Sequence, residues 1–330
     1  HTSGYYGKYK LLPTLVQLQS DITSPFPPLD LMVHIGEISA ASFNDTIPAK
    51  EVWRVSEDGE LRDPFKKLTT VFQMSEEIFF LHYGKDGCNR HVLIDECREL
   101  FGEIYEQIPE LPFCNIWTAM QLSSRLPKGA LFHMGVSNTR RCWNMFQLPE
   151  SVESACNVGC CGIDGCVSTL VGASLVNPDR LCYVVVGDLT FFYDLNSLGN
   201  HHIGTNLRVM LVNNGRGTEF RLGIHHCNVF GDDADKYMAA AGHFGNKSPL
   251  LVKHYAEDLG FHYLSATTKE EFMTALSNFT NPQLSDHSMI LEVFTDSKDE
   301  SEALYLMSHI QSDAKGMVRS KLKDAVRNVA

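Results

Sequence analysis

No run of apolar residues in this chain approaches the length of a membrane span, and its first residues lack a signal-like pattern. A basic stripe is missing as well. Only 28 Lys and Arg stand against 40 Asp and Glu, a formal net charge of −12 at pH 7. Nothing is present to neutralise a phosphate backbone, which argues against a nucleic-acid partner. No internal repeat or low-complexity tract interrupts the sequence. None of the ten cysteines forms a pair at C-x2-C spacing. That counts against structural zinc, although Cys156, Cys160, Cys161 and Cys166 lie close together and His225-His226-Cys227 follows later. Without a secretory signal, such cysteines suggest reduced thiols and a cytoplasmic location.

What is present is a chain of 330 residues with 44% hydrophobic content, enough to bury one or two ordinary cores. Leu31–Ile35, Glu51–Val55 and Glu77–Leu81 read as short strands, with Gly59, Pro64 and Gly84 as punctuation. From His91 to Gln107, Leu93, Cys97, Leu100, Phe101 and Ile104 mark a helical face. Pro109 and Pro112 then mark a boundary between a domain at 1–110 and one at 111–330. Beyond Trp117 strands and helices alternate: Ala130–Met134, Leu181–Val186, Leu207–Val212, His262–Leu264 and Met289–Val293 are the strands. Thr268-Lys-Glu-Glu271 is a capping box opening the helix before the last of them. The expected fold is α/β, two doubly wound parallel-sheet domains. The one basic stretch, Lys315 to Arg327, carries Met317, Val318, Leu322, Val326 and Val329 at helical spacing and reads as a terminal helix packed on a neighbour.

The chemistry concentrates at two strand ends. The strand Leu181–Val186 runs into Gly187-Asp188-Leu189-Thr190, and Leu207–Val212 runs into Asn213-Asn214-Gly215. Asp188 and Asn214 are 26 positions apart (214 minus 188). Both fall at the edge where open parallel sheets bind ligands. The Asp188 carboxylate, the Asn214 side-chain oxygen and the Arg216 backbone carbonyl make half an octahedron of hard ligands. Mg²⁺ accepts such a set and completes it with phosphate oxygens and water. Alone, Asp188 would read as a helix cap and Asn213-Asn214-Gly215 as a turn. The pairing points instead to a diphosphate held through a metal, with the Leu189 and Thr190 amides at a helix N-terminus.

Three further segments complete a pattern. They are Gly135-Val-Ser137-Asn-Thr-Arg-Arg141, Asn157-Val-Gly159-Cys-Cys-Gly162-Ile163-Asp164-Gly165-Cys-Val-Ser168-Thr169, and Gly187-Asp188-Leu189-Thr190-Phe-Phe-Tyr-Asp194-Leu195-Asn196. In this order, with Asn213-Asn214, they resemble the thiamine-diphosphate-dependent decarboxylase and synthase superfamily. The match is best with the menaquinone-pathway synthases that join a decarboxylated 2-oxoglutarate unit to isochorismate. Residues from about 112 to 295 are also similar to thiamine-diphosphate proteins of bacterial surface-polysaccharide loci.

The resemblance implies thiamine diphosphate and Mg²⁺ as cofactors, a 2-oxo acid substrate that loses CO₂, and transfer of the remaining acyl unit. It implies cofactor contacts at Ser137, Asn138, Gly162, Ile163, Asp164, Gly187, Asp188, Leu189, Thr190, Asn214 and Thr218, and metal ligation by Asp188, Asn214 and Arg216. Ile163 takes the place of the bulky aliphatic that bends the cofactor, with a plain core isoleucine as the alternative. Ser137 and Arg141 face cofactor and substrate carboxylate, with a surface arginine as the alternative. The chain resembles only the middle domain (1–110) and the diphosphate-binding domain (111–330) of such enzymes, so about 180 residues of pyrimidine-binding domain would precede His1, judged from ordinary domain size. His1 itself suits an excised or tag-cleaved fragment. The activating glutamate belongs to the pyrimidine domain and has no counterpart here, so the chain alone should hold half a site within a homo-oligomer, a dimer or tetramer, and should not turn over. A non-catalytic cofactor-binding scaffold, or one subunit of a split enzyme, is the alternative.

Two positions depart from the pattern: Val158 replaces an arginine and Glu219 an aliphatic residue, which disfavours a dicarboxylate donor. The loop holding His225 and His226 reads equally as a border of the active site or a polar loop. Gly242 to Lys247 reads equally as a phosphate-binding turn or lid and as a helix C-cap.

Overall fold

The computed structural model describes residues 14–21, 29–36, 49–84, 92–158, 162–222, 225–238, 243, 245 and 247–318. The described parts of Pro109–Met307 form one compact unit, and those of Val16–Ile108 with residues from Ser308 on form a second. A single helical turn, α1 (Thr14–Gln17), opens the described chain. Most of the basic stretch read as a terminal helix, and with it Leu322, Val326 and Val329, lies outside the described residues.

The smaller unit is built on three parallel strands in sequence order, β1 (Leu29–Ile35), β2 (Ala49–Ser56) and β3 (Leu68–Gln73). Val52 and Val55 of the central strand are buried. The run Glu77–Leu81, expected as a strand, is instead part of helix α2 (Glu76–Tyr83). Four consecutive apolar residues carry no period, and the flanks decide. Ser75 caps the helix, its hydroxyl accepting from the Ile78 amide at 3.3 Å, and Glu76 and Glu77 sit in the first turn, where the helix dipole favours acids. Phe79 then packs edge-on to Phe72 of β3 at 5.0 Å. Helix α3 (Val92–Glu106) follows the expected span and buries Cys97 and Ile104.

The larger unit carries a six-stranded, wholly parallel sheet. Its strands are β4 (Leu131–Met134), β5 (Glu153–Cys156), β6 (Cys182–Gly187), β7 (Leu207–Asn213), β8 (His262–Ala266) and β9 (Met289–Phe294), in the order β5-β4-β6-β7-β9-β8. Every residue of β7 is buried, as are the first five of β6 and of β9. Strands covered on both faces are filled mainly by apolar side chains, which is why these segments read as apolar runs, interrupted by the buried Arg208, Asn213 and Glu292.

The helices are α4 (Asn115–Ser123), α5 (Asn138–Trp143), α6 (Cys166–Val176), α7 (Asp188–Asp194), α8 (Ala234–Tyr237), α9 (Leu251–Asp258), α10 (Lys269–Phe279) and α11 (Ser297–Ser308). On one face of the sheet Val184, Val186, Leu207, Val209 and Leu211 pack with Val167 and Leu170 of α6 and Val252 and Ala256 of α9. On the other, Phe132 meets Trp143 of α5 at 5.0 Å, and Tyr183 meets Phe279 of α10 at 5.5 Å, its hydroxyl donating to the Phe279 carbonyl. Helices therefore cover both faces, the architecture the alternating pattern implied.

The expected capping box is formed with a shift of one residue. The Thr268 hydroxyl accepts from the Glu271 amide at 3.2 Å, while the Glu271 carboxylate accepts from the amide and hydroxyl of Thr267, both at 2.7 Å. Thr268→Ala should cost about 1 kcal/mol of unfolding free energy, the usual worth of an N-cap, measured by urea denaturation. An unchanged midpoint would show that the Thr267–Glu271 bonds suffice.

Candidate active site at the switch point of the sheet

The chain leaves β4 for β5 on one side, then crosses back to enter β6 on the other side of β4. The connections leaving β4 and β6 thus diverge and open a crevice beyond the carboxyl ends of these strands. The structure has a pocket of about 210 Å³ there. Ser137, Asn138, Ile163, Gly187, Asp188, Leu189, Thr190, Asn214, Arg216 and Thr218 line it, with Asn115, Val136, Thr139, Val212, Gly217, Glu219 and Phe220. Ten of the residues singled out in the sequence are thereby brought together from the segments that follow β4, β5, β6 and β7.

Gly162, Asp164 and Arg141 are not among the lining residues. The Asp164 carboxylate lies over Gly162, where a Cβ would come within 2.5 Å of it, so a larger residue there would displace that carboxylate. The Arg141 guanidinium is held by Glu219 in a two-pronged ion pair, Nη1 to Oε2 at 2.8 Å and Nη2 to Oε1 at 2.6 Å. Gly159, Cys160 and Cys161 lie outside the described residues. Among the described residues no group of three or more His, Cys, Asp or Glu side chains could hold a metal ion.

Several features mark the pocket as built for a ligand. Ser137 has φ 58° and ψ −125°, a left-handed backbone that a residue with a Cβ adopts only when its surroundings force it. Its hydroxyl makes no capping bond to α5. The Thr218 hydroxyl is buried without a hydrogen-bond partner, and an orphan of this kind at a pocket wall is a group awaiting a polar ligand. At Gly187 a Cβ would meet no protein atom within 4 Å, so the backbone there leaves open a space that a side chain would fill. Asp188 is 2% exposed. Its Oδ1 accepts from the Leu189 amide at 2.8 Å, which engages one of the two amides assigned to a diphosphate. The Arg216 carbonyl accepts from the Thr218 amide at 3.0 Å, and the Asn214 side-chain oxygen from the Arg216 amide at 3.4 Å. Carboxylate, amide and carbonyl oxygens each keep a lone pair for a cation.

A second tier of residues, several of them outside the motif pattern, holds these groups. The Asn213 amide donates to Glu292 of β9 at 2.7 Å, and its oxygen accepts from the Gly215 amide at 3.3 Å, which fixes the turn presenting Asn214. Tyr263 of β8 donates to the other Glu292 oxygen at 2.7 Å. Asp194 accepts from the Ser168 amide at 2.7 Å and so ties α7 to the start of α6. The Asn115 amide donates to Glu300 at 2.9 Å, and its side-chain oxygen accepts from the Trp143 indole at 3.2 Å.

Of the segment 242–247 only His243, Gly245 and Lys247 are described. The Gly245 amide donates to His243 Nδ1 at 2.9 Å, so Nε2 carries the proton and donates to Asp188 Oδ2 at 2.9 Å. His225 caps the short helical turn after it, its Nδ1 accepting from the Cys227 amide, and His226 is exposed; neither lines the pocket.

Fold and site together define an α/β binding unit whose polar groups converge at the switch point of a parallel sheet. Comparison with known proteins gives its relatives. Over 263 residues the chain is 34% identical to the 2-succinyl-5-enolpyruvyl-6-hydroxy-3-cyclohexene-1-carboxylate synthase of Bacteroides fragilis, covering 78% of this chain and 45% of that enzyme. The enzyme of the same name from Phocaeicola vulgatus is 32% identical over 265 residues, 78% of this chain and 44% of its own length. The Bacteroides thetaiotaomicron enzyme is 32% identical over 259 residues, again 78% and 44%. No family model matches the chain. Over the matched residues the chain is similar to these synthases. It spans less than half the length of the relatives it matches.

Glu300 offers a test of this second tier. Burial lifts its carboxyl from 4.5 to about 7. The folded protein therefore keeps a proton that the unfolded chain releases near 4.5. The stability this contributes is complete below 4.5 and is lost as pH rises through 7. Glu300→Gln removes the titration. Between pH 5 and pH 8 the stability difference should shift by about 2 kcal/mol in favour of the variant, read by urea denaturation at both pH values. A difference independent of pH would show that Glu300 does not hold its proton.

Proposed function

We propose that residues 111–330 supply the diphosphate- and metal-binding half of a thiamine-diphosphate- and Mg²⁺-dependent carboligase site. The reaction would take CO₂ from a 2-oxo acid and pass the remaining acyl unit to an acceptor. The observation that carries this is the convergence of Asp188, Asn214 and the orphaned Thr218 hydroxyl on one pocket at the switch point. It is supported by the similarity to the synthases named above.

The buried Asp188 carboxylate, the Asn214 amide oxygen and the Arg216 carbonyl would hold Mg²⁺, since all three are hard oxygen donors. The Thr190 and Thr218 hydroxyls would donate to diphosphate oxygens. When bound, thiamine diphosphate supplies the electron sink that makes loss of CO₂ from a 2-oxo acid feasible. The chain's own part is geometric. Ile163 would present a bulky aliphatic wall against which the cofactor bends, and the strained Ser137 lines the same pocket. Asn138 and Thr139 follow on α5 as neutral hydrogen-bonding groups. Residues 1–110 are assigned as the middle domain, with a pyrimidine-binding domain contributing the activating glutamate from outside these residues. On this reading the working form is a cytoplasmic homo-oligomer, and the 330-residue chain alone binds cofactor without turnover.

Calorimetric titration with thiamine diphosphate should give binding that requires Mg²⁺ and weakens at least tenfold in Asp188→Ala, about 1.4 kcal/mol or more. Binding of equal strength without Mg²⁺, or untouched in Asp188→Ala, would contradict the metal-bridged reading. Release of CO₂ from a 2-oxo acid by the chain alone would contradict the half-site.

A further inference from the structure

Beside Thr218 the pocket lining includes Glu219, one partner of an ion pair that nothing in the cofactor reading requires. Arg141 of α5 and Glu219, in the short helical turn Thr218–Arg221, meet through two parallel bonds, with side-chain exposures of 20% and 21%. Such a fork-to-fork pair is the strongest geometry available to these side chains. Glu219 faces the pocket; Arg141 does not. A ligand approaching this wall therefore meets a carboxylate first, with the guanidinium behind it already neutralised. Asn138, Thr139 and Phe220 of the same pocket are uncharged, while Arg216 also lines it and Arg140 stands beside Arg141 on α5.

We propose that Glu219 sets the substrate class of this pocket: by engaging Arg141 it turns away a substrate with a distal carboxylate and favours one whose corresponding end is uncharged and hydroxylated. The inference rests on the reading of the pocket given above. A second carboxylate here would have to approach Glu219 against like charge, or break a half-buried bidentate pair to reach Arg141. A hydroxyl has no such difficulty, because each Glu219 oxygen keeps a lone pair that accepts from it. The relatives are named for attaching a succinyl group, an acyl chain that ends in a carboxylate.

The test is equilibrium binding of 2-oxoglutarate and of pyruvate, by ligand-observed NMR and calorimetry, to the wild type, Glu219→Leu, Glu219→Gln and the double variant Glu219→Leu with Arg141→Met. The Gln variant removes the charge while keeping an acceptor for Arg141, so a fold-sensitive loss confined to the Leu variant is recognised. The expected result is at least tenfold preference for pyruvate in the wild type. Affinity for 2-oxoglutarate should rise at least tenfold in Glu219→Leu, less in Glu219→Gln, and fall back in the double variant. Wild-type affinity for 2-oxoglutarate equal to that of both single variants, or no gain in either, would overturn the proposal. Thiamine diphosphate titrated into the same four proteins reports on the cofactor reading separately. Its binding should be equal in all, and its absence from all would contradict that reading whatever the oxo acids do.

Discussion

Everything at the site depends on the parallel pairing of β6 with β7 at the centre of the sheet. The register sets Val186 against Leu211 and Gly187 against Val212, so the two strands stop together. Asp188 and Asn214 then emerge at the same edge, although 26 residues separate them (214 minus 188). Burial on both faces enforces this register, because a slip of one residue would drive each side chain into the opposite layer. The apolar layers around Val184, Val186, Val209 and Leu211 are therefore what aligns the polar groups, and the chemistry inherits its geometry from the core.

The polar tier beneath the pocket extends that alignment. Glu292 sits on β9, the next strand over, and holds Asn213 from the side; Glu300 on α11 holds the start of α4. Both are buried acids whose carboxyls burial lifts above the ordinary range. Each satisfies backbone or amide donors that would otherwise be stranded, a larger consideration inside a protein than the modest net worth of the bond itself. A site assembled from strand ends needs such cross-strand ties, because the loops that carry its ligands have no regular hydrogen-bond ladder of their own.

Much of the fold and the inner ring of the site could be read in the sequence, for definable reasons. The central strands announce themselves as largely apolar runs, and the segments carrying Ser137, Ile163, Asp188 and Asn214 keep local spacings that survive in one dimension. The missed strands are β3 and β5, of which β5 is four residues long at the sheet edge. The error at α2 arose because four consecutive apolar residues fit a strand and a helix equally well. Glu292, Glu300 and His243 went unrecognised as partners because their contacts span 79, 185 and 55 residues, distances over which no local pattern operates. Arg141 shows the limit most directly. The fold pairs it with Glu219, 78 positions away, a contact that no local pattern announces.

The central claim is that Asp188 and Asn214 hold a divalent cation between this sheet edge and a diphosphate. Crystals grown with thiamine diphosphate and Mn²⁺ in place of Mg²⁺ test it through the anomalous signal of the metal. The account predicts one peak within about 2.3 Å of an Asp188 carboxylate oxygen and the Asn214 side-chain oxygen, at oxygen-ligand distances typical of hard cations. A metal bound elsewhere, or a diphosphate seated in the pocket with no metal against Asp188, would contradict it.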